Sequence, residues 1–345
     1  MPREGWRCLN FYLWTTTNRA ASEQAIPYLL VRVELVVTAH GKSHVRSPEH
    51  KSWIAVVTGG NRGIGLEVCR QLAVNGATVV LTARNETRGA AAVEKLNGLG
   101  LSGVIFHQLD VTDASSITRL ADFLRSRFGR LDILVNNAAV GGFELVGDPS
   151  FGPEFYAMDG QRRLEFLDKR LRETNAGAKE CLQTNYYGPK HVIEALLPLL
   201  KSSSEGRIVN LSSDCAQLRL FRNEELKQEL NDVERLTEER LDELLGAFLK
   251  DFEAGAVEAR GWPLVLSAYK VAKAAMNSYS RVLARRHPEL RVNCVDPGFV
   301  RTDMNYNSGI LTPEEAARKV VAVALLPEGG VTGALFEDGK EASFV

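Results

Sequence analysis

Tyr269 and Lys273 stand four residues apart in the stretch SAYKVAK, Ser267 to Lys273. On a helix that spacing sets both side chains on one face, one above the other. A free phenol has a pKa of about 10 and keeps its proton at neutral pH. A fixed ammonium beside it favours the phenolate and brings the group toward the range where it can give or take a proton. Such pairs also arise by chance on many helices, so the elements that would position this one carry the argument.

The chain has 345 residues, 45% hydrophobic and 25% charged, enough to bury a sizeable core. A net charge of −1 gives no bulk electrostatic case for nucleic acid or an anionic membrane as partner. Cys8, Cys69, Cys181, Cys215 and Cys294 are odd in number, widely spread and without CxxC pairing. That argues against a disulfide framework or a zinc site and fits a reducing, cytoplasmic setting. No apolar run reaches the roughly 18 residues of a membrane span. Met1 to His50 lacks the pattern of the remaining chain and reads as a poorly ordered extension ending in GKSHVRSPEHKS. Within it PYLLVRVELVV could form one strand. His40, His44 and His50 have no carboxylate or cysteine clustered with them to make a metal site.

From Trp53 onward short apolar runs alternate with helical patterns. WIAVVT, ATVVLT, GVIFHQLD, LDILVN, GRIVNLSS, LRVNCVDPG and VTGALFEDG give seven expected strands, with helical spacing between them. Strands alternating with helices predict βαβ units, hence a doubly wound α/β Rossmann fold with about seven parallel strands. Ligands in such sheets bind at the carboxyl ends of the strands, near the topological switch point. Residues 51–345 read as one such domain.

Gly59, Gly63 and Gly65 fall in TGGNRGIG, where the first strand meets the first helix. Glycines there let the backbone turn tightly and approach a pyrophosphate seated on the helix N-terminus. The second strand ends in LTARN, with Arg84 and no acid for the ribose hydroxyls, and Arg62 lies inside the glycine turn. Two guanidinium forks suit a 2′-phosphate, which predicts NADP(H) over NAD. Asp110 ends the third strand, where it can accept from the adenine amino group. Asn136 and Asn137 end the fourth, beneath the nicotinamide side of the cleft.

Together with QLDVTD, NNA, TNYYG, NLSS and DPGFVRTD, all in order, these motifs resemble the short-chain dehydrogenase/reductase family from about Ser52 to the C-terminus. Arg62, Arg84, TNYYGP, VRTDMNYN and a long segment before Tyr269 resemble its carbonyl reductase branch, which holds plant menthone, neomenthol and salutaridine reductases. The resemblance implies a catalytic set of Asn185, Ser213, Tyr269 and Lys273. Tyr269 would protonate a carbonyl oxygen as hydride arrives from the nicotinamide, and Ser213 would orient that oxygen. Lys273 would lower the tyrosine pKa and hold the nicotinamide ribose, and Asn185 would hold a water linking Lys273 to solvent. It further implies cofactor contacts from Asn61, Ile64 and Val111, from Tyr269 and Lys273, and from Pro297, Gly298, Val300 and Thr302 around the nicotinamide.

Two residues depart from the family pattern. Ala139 stands where glycine is usual, and its methyl would crowd the cofactor if its φ is positive. Asp296 stands where the branch often has a cysteine or another small residue, and would disfavour purely apolar substrates if it faces the pocket. Val140 to Gly177 is polar and irregular, a candidate pocket wall. Ser213 and Tyr269 are 56 positions apart. In the gap, Leu226, Leu230, Val233, Leu241, Leu244, Leu245, Phe248 and Phe252 recur at helical spacing. They predict two amphipathic helices joined near Thr237, within an insertion at 214–262. A lid over the active-site mouth and a surface decoration are the two readings of it. In the resembled branch this insertion covers the face that other members use to form tetramers, which implies a monomer. The expected activity is NADPH-dependent reduction of a hydrophobic cyclic, terpenoid or aromatic ketone to a secondary alcohol, or the reverse oxidation. The alternatives are a non-catalytic NADPH-binding regulator and, with a different glycine turn, an epimerase or dehydratase.

Overall fold

Strand β1 (Ile54–Val57) is buried at every position, and its residues alternate between two cores. Ile54 and Val56 enter one, Ala55 and Val57 the other. This is the mark of a strand covered by helices on both faces. The computed structural model describes residues 53–147, 151–159, 162, 165–166 and 169–345. The expectations for Met1 to His50 lie outside the described residues.

Strands β2 (Thr78–Ala83), β3 (Val104–Gln108) and β4 (Ile133–Asn136) come next, with helices α1 (Gly63–Val74), α2 (Glu86–Gly98) and α3 (Ala114–Arg127) between them. The chain then forms a small antiparallel ribbon of β5 (Phe143–Leu145) and β6 (Leu171–Glu173), with a short helix α4 (Pro153–Ala157) in between. Helix α5 (Asn175–Leu182), a π-helical turn (Gln183–Tyr187) and α6 (Gly188–Lys201) lead to β7 (Arg207–Leu211). After α7 (Glu224–Asn231), α8 (Glu238–Glu253) and α9 (Ser267–Arg286) come β8 (Arg291–Asp296), α10 (Pro313–Ala324), β9 (Leu335–Glu337) and β10 (Lys340–Ala342).

The main sheet runs β10-β9-β8-β7-β4-β1-β2-β3. Its seven parallel strands are those expected from the sequence, and β10 joins as an eighth, antiparallel edge strand. The hairpin to β10 turns at Asp338 and Gly339, both with positive φ, the chemistry of a tight Asp-Gly turn. Strand order reverses between β1 and β4, so the switch point lies at their carboxyl ends. One face of the sheet packs on α3, α5, α6 and α9, the other on α1, α2 and α10.

The opposite end of the sheet is fastened by Asp132, which is buried just before β4. Its Oδ2 accepts from the Ile54 amide at 2.8 Å and its Oδ1 from the Ser203 hydroxyl at 2.6 Å, while Arg130 Nε lies 3.2 Å from both oxygens. Nearby, Arg207 pairs with Glu205 and donates to the carbonyls of Ala324 and Leu326.

The segment before Tyr269 folds as the two expected helices. Leu241, Leu244, Leu245 and Phe248 are the buried stripe of α8, and the Thr237 hydroxyl caps it by accepting from the Arg240 amide. The tip of the α7–α8 hairpin lies along the flank of α9. The Ser278 hydroxyl donates to the Leu230 carbonyl, Arg285 pairs with Glu234, and Arg286 pairs with Glu238. From Tyr269 to Ser278 is nine residues, a rise of roughly 14 Å along a helix. The tip of the hairpin therefore sits far from the tyrosine. Covered on that side as well, α9 is buried almost all round.

Candidate active site

Lys273 is 5% exposed, a burial that an ammonium tolerates only with a partner. Its Nζ donates to the main-chain carbonyl of Leu211 at 2.6 Å, at the end of β7. The next polar positions on the same face of α9 continue the seam. The Ser212 hydroxyl donates to Asn277 Oδ1 at 2.8 Å, and Asn210 Nδ2 donates to the Ser280 hydroxyl at 2.8 Å. Asn210 Oδ1 in turn accepts from Asn136 on β4 at 2.8 Å. Lys273, Asn277 and Ser280 thus bond α9 to three consecutive residues at the end of β7. The next residue is Ser213.

Ser213 has extended backbone and opens a 3₁₀ turn, Asp214–Ala216, that packs on α9. Its hydroxyl accepts from the Cys215 amide at 3.2 Å and donates to Asp214 Oδ1 at 3.0 Å. Tyr269, partly buried, lies in the first turn of α9. Its ring centroid is 5.7 Å from Lys273 Nζ. The ammonium is turned to Leu211, and burial raises the Tyr269 pKa, aided by Cys215, Cys181, Asp296 and Asp214. The net shift is thus upward, opposite in direction to the lowering expected from Lys273, because burial is the largest cause. A raised value keeps the phenol protonated at neutral pH, the form a proton donor needs. Lys273 itself is lowered by burial from 10.5 to about 8.

Asn185 is 2% exposed, within the π-helical turn. Its Oδ1 accepts from the Val140 amide at 2.9 Å, and its Nδ2 donates to the Val140 carbonyl at 2.8 Å. The side chain therefore holds the strand extension after β4 against α5 and α6. π-turns inside helices are frequent at functional sites.

At the other side of the switch point the glycine turn is closely fitted. Gly59 and Gly63 have φ of +65° and +54°, conformations that other residues rarely adopt. A Cβ on Gly65 would come within 2.4 Å of Asn137 Nδ2 and 2.5 Å of the Gly59 carbonyl. Asn137 Nδ2 donates to the carbonyls of Thr58 and Gly59, so its side chain shapes the turn. Thr58 opens the TGGNRGIG stretch, and its hydroxyl accepts from the amides of both Asn137 and Ala138. A turn so tight at a helix N-terminus, too narrow for a Cβ, fits the pyrophosphate of a dinucleotide.

An open cleft of about 700 Å³ adjoins this turn, lined by Asn61, Arg62, Gly63, Arg88, Lys95 and Asp303 among others. Arg84 is exposed at the end of β2. Arg88 lies four residues beyond it on α2, a spacing legible in LTARNETR. Arg62 Nη1 is 2.5 Å from Asp303 Oδ2, which joins the glycine turn to the loop after β8. Asp110 lies two residues beyond β3, where its Oδ1 accepts from the amide and hydroxyl of Thr112. Val111 is buried beside Gly188, and Ile64 packs partly on the core.

The loop after β8 turns at Pro297 and Gly298, the latter at φ +85°. Val300 is buried and bridges to Leu311. The Thr302 methyl would lie 3.6 Å from a Cβ on Gly63, so loop and glycine turn face each other across the cleft. Asp296, 6% exposed, turns inward and accepts from the Gly298 amide at 2.8 Å. Burial raises it to about 6. Ala139 is absent from the left-handed residues, so its methyl introduces no backbone strain. Among the described residues no group of His, Cys, Asp or Glu could hold a metal ion, and no helix is long and apolar enough to cross a membrane.

Comparison with known proteins agrees with this geometry. Residues 53–223 match the family model described as short chain dehydrogenase, and 255–333 match one described as enoyl-(acyl carrier protein) reductase. The chain is 48% identical to (+)-neomenthol dehydrogenase of Arabidopsis thaliana over 84% of its own length and 97% of that protein. It is 40% identical to human carbonyl reductase [NADPH] 1, over 79% and 91% respectively. The solved structure of salutaridine reductase from Papaver somniferum matches with a TM-score of 0.76 at 46% identity, covering 83% of this chain and 99% of that one. The chain belongs to the short-chain dehydrogenase/reductase family.

Proposed function

We propose that the protein is an NADPH-dependent reductase of a hydrophobic cyclic, terpenoid or aromatic ketone, also able to run the reverse oxidation. The observation that supports this reading is the bond from Lys273 to Leu211, which ties the helix of Tyr269 to the carboxyl end of β7, two residues before Ser213. The names of its relatives, a neomenthol dehydrogenase, a salutaridine reductase and an NADPH carbonyl reductase, support the substrate class and cofactor.

NADPH, when bound, supplies the hydride that reaches the carbonyl carbon. Gly59, Asn61, Gly63, Ile64 and Gly65 would hold its pyrophosphate side. Arg62 and Arg84 would hold the 2′-phosphate, and Asp110, Val111 and Asn137 the adenine side and floor of the cleft. Pro297, Gly298, Val300 and Thr302 would line the nicotinamide end. Ser213 donates a hydrogen bond to the carbonyl oxygen and fixes its direction. Tyr269 gives that oxygen its proton as the C=O π bond breaks, so an O–H bond forms and the phenol becomes phenolate. Lys273, charged below pH 8 or so, stabilises the phenolate and holds the ribose. Asn185 would hold a water linking Lys273 to solvent, with its side-chain amide bonded to both main-chain groups of Val140.

We read the chain as a cytoplasmic monomer. The α7–α8 hairpin covers the flank of α9, and the four described cysteines are all free. NADPH consumption with a panel of cyclic terpenoid and aromatic ketones tests the function. Wild type should turn over at least one of them. Tyr269→Phe should abolish that turnover while NADPH binding stays nearly intact. Retained turnover would overturn the mechanism, and no consumption with any ketone would favour a non-catalytic NADPH-binding regulator.

A further inference from the structure

Helix α9 starts in an unusual way. The two residues before it, Val265 and Leu266, have φ of +54° and +55°, a region that β-branched and bulky side chains disfavour. Leu266 occupies the capping position and offers no side-chain acceptor. The first amides of a helix have no partner within it and need one from outside. Here both come from a single carboxylate 94 positions away in the chain. Glu173 Oε2 accepts from the Ser267 amide at 2.9 Å, and Glu173 Oε1 accepts from the Ala268 amide at 3.1 Å. The next residue is Tyr269.

Glu173 is also where three elements meet. It is the last residue of β6 and pairs with Phe143 of β5. Thr174, directly after it, caps α5 by accepting from the Gly177 amide, and α5 runs into the turn that holds Asn185. The far side of the ribbon is tied to the loop after β8, where the Leu145 amide donates to the Tyr306 hydroxyl at 3.2 Å. Glu173 therefore ties the irregular segment between Val140 and Gly177 to the catalytic helix.

We propose that Glu173 is a positioning residue for Tyr269, a bidentate clamp that fixes the first turn of α9 and so the direction of the phenol. This rests on Tyr269 as the proton donor. A negative group at a helix N-terminus is favourable in itself. What makes this one specific is that its two oxygens take consecutive amides immediately before the tyrosine, on a backbone that is strained as it enters the helix. Without the clamp, Val265 and Leu266 can relax and the first turn can fray. The seam from Lys273 through Ser280 would still hold the rest of α9 on β7.

The test compares Glu173→Ala and the isosteric Glu173→Gln with wild type on the best ketone of the panel. Glutamine keeps one acceptor and sets a donor against the other amide, so it should restore activity only in part. The expected result is a fall in kcat of about 10–100-fold for Ala, the scale of a small misplacement of a reacting group. The loss should be smaller for Gln, with NADPH affinity within about twofold of wild type in both. Amide hydrogen exchange should quicken at 267–270 while 273–283 stays protected. Unchanged kcat in both variants overturns the proposal. So does a loss of kcat that parallels a loss of NADPH affinity, because that pattern belongs to a general weakening of the fold. Tyr269→Phe, run alongside, separates the two ideas. If it retains turnover, the donor assignment fails whatever Glu173 does. If it is inactive while both Glu173 variants are normal, only the clamp fails.

Discussion

The ammonium of Lys273 donates to the carbonyl of Leu211 at 2.6 Å, two residues before Ser213. One charged bond thus sets the distance between the strand that carries the serine and the helix that carries the tyrosine. It also explains why Lys273 stays buried, since a charge-assisted bond to a carbonyl offsets part of its lost hydration.

Burial lowers Lys273 from 10.5 to about 8. The lysine is therefore charged below that pH and neutral above it. Ketone reduction should decline as pH rises through about 8, because the charge that supports the Tyr269 phenolate is lost. The profile of kcat/KM across neutral and alkaline pH checks this; a limb no earlier than the ordinary lysine range refutes it. The stability sign is opposite. Between about 8 and 10.5 the folded state binds fewer protons than the unfolded state, so this group makes the fold more stable as pH rises across that window.

Arg84→Ala should weaken NADPH binding by about 10–100-fold, the scale of charge-assisted hydrogen bonds to a phosphate. NADH, which lacks the 2′-phosphate, should lose little. Fluorescence titration with each cofactor measures the two losses. Equal losses would remove the 2′-phosphate assignment. Arg62, already paired with Asp303, should show a smaller difference between the cofactors than Arg84.

Asp296 is raised by burial from 3.8 to about 6, with Asp214 and Glu337 adding to the rise and the Gly298 amide and Lys319 opposing it. The folded state therefore binds more protons than the unfolded state between those values, and this group's contribution to stability falls as pH rises through the window. Asp296→Asn keeps the acceptor for the Gly298 amide and removes the charge. It should stabilise the protein at neutral pH by about 1–3 kcal/mol, with the gain vanishing below pH ~4. Denaturant unfolding at the two pH values measures it. A variant less stable than wild type at neutral pH would mean that the ionised carboxylate itself is needed.

The sheet was legible because a strand buried on both faces must be apolar at successive positions, as IAVV and TVVLTA are. The helices of the insertion were legible because Leu241, Leu244, Leu245 and Phe248 repeat at helical spacing. Strands β5, β6 and β10 escaped, being three residues each and too short for a period to declare itself. The position of the insertion also escaped, because an apolar stripe tells that a helix is covered and not by what. Asn277 and Ser280 carried a readable signal, polar residues four and seven places after Lys273 and so on the same face of the helix. Glu173 carried none, since its partners are main-chain amides far along the chain and any residue there would present the same groups. The direction of the Tyr269 shift was misjudged for a related reason: a four-residue spacing places Lys273 near the ring but does not say which oxygen its ammonium chooses.

Asp132 fastens β1, β4 and the turn before β7 at the amino ends of the strands, the end of the sheet farthest from the chemistry. The ribbon of β5 and β6 and the loop after β8 follow the carboxyl ends of β4 and β8. A scaffold anchored in this way separates heritable changes in taste from changes in solidity. Residues around the mouth can be exchanged one generation after another, trying new ketones, while the fastening that keeps the strands in line goes untouched.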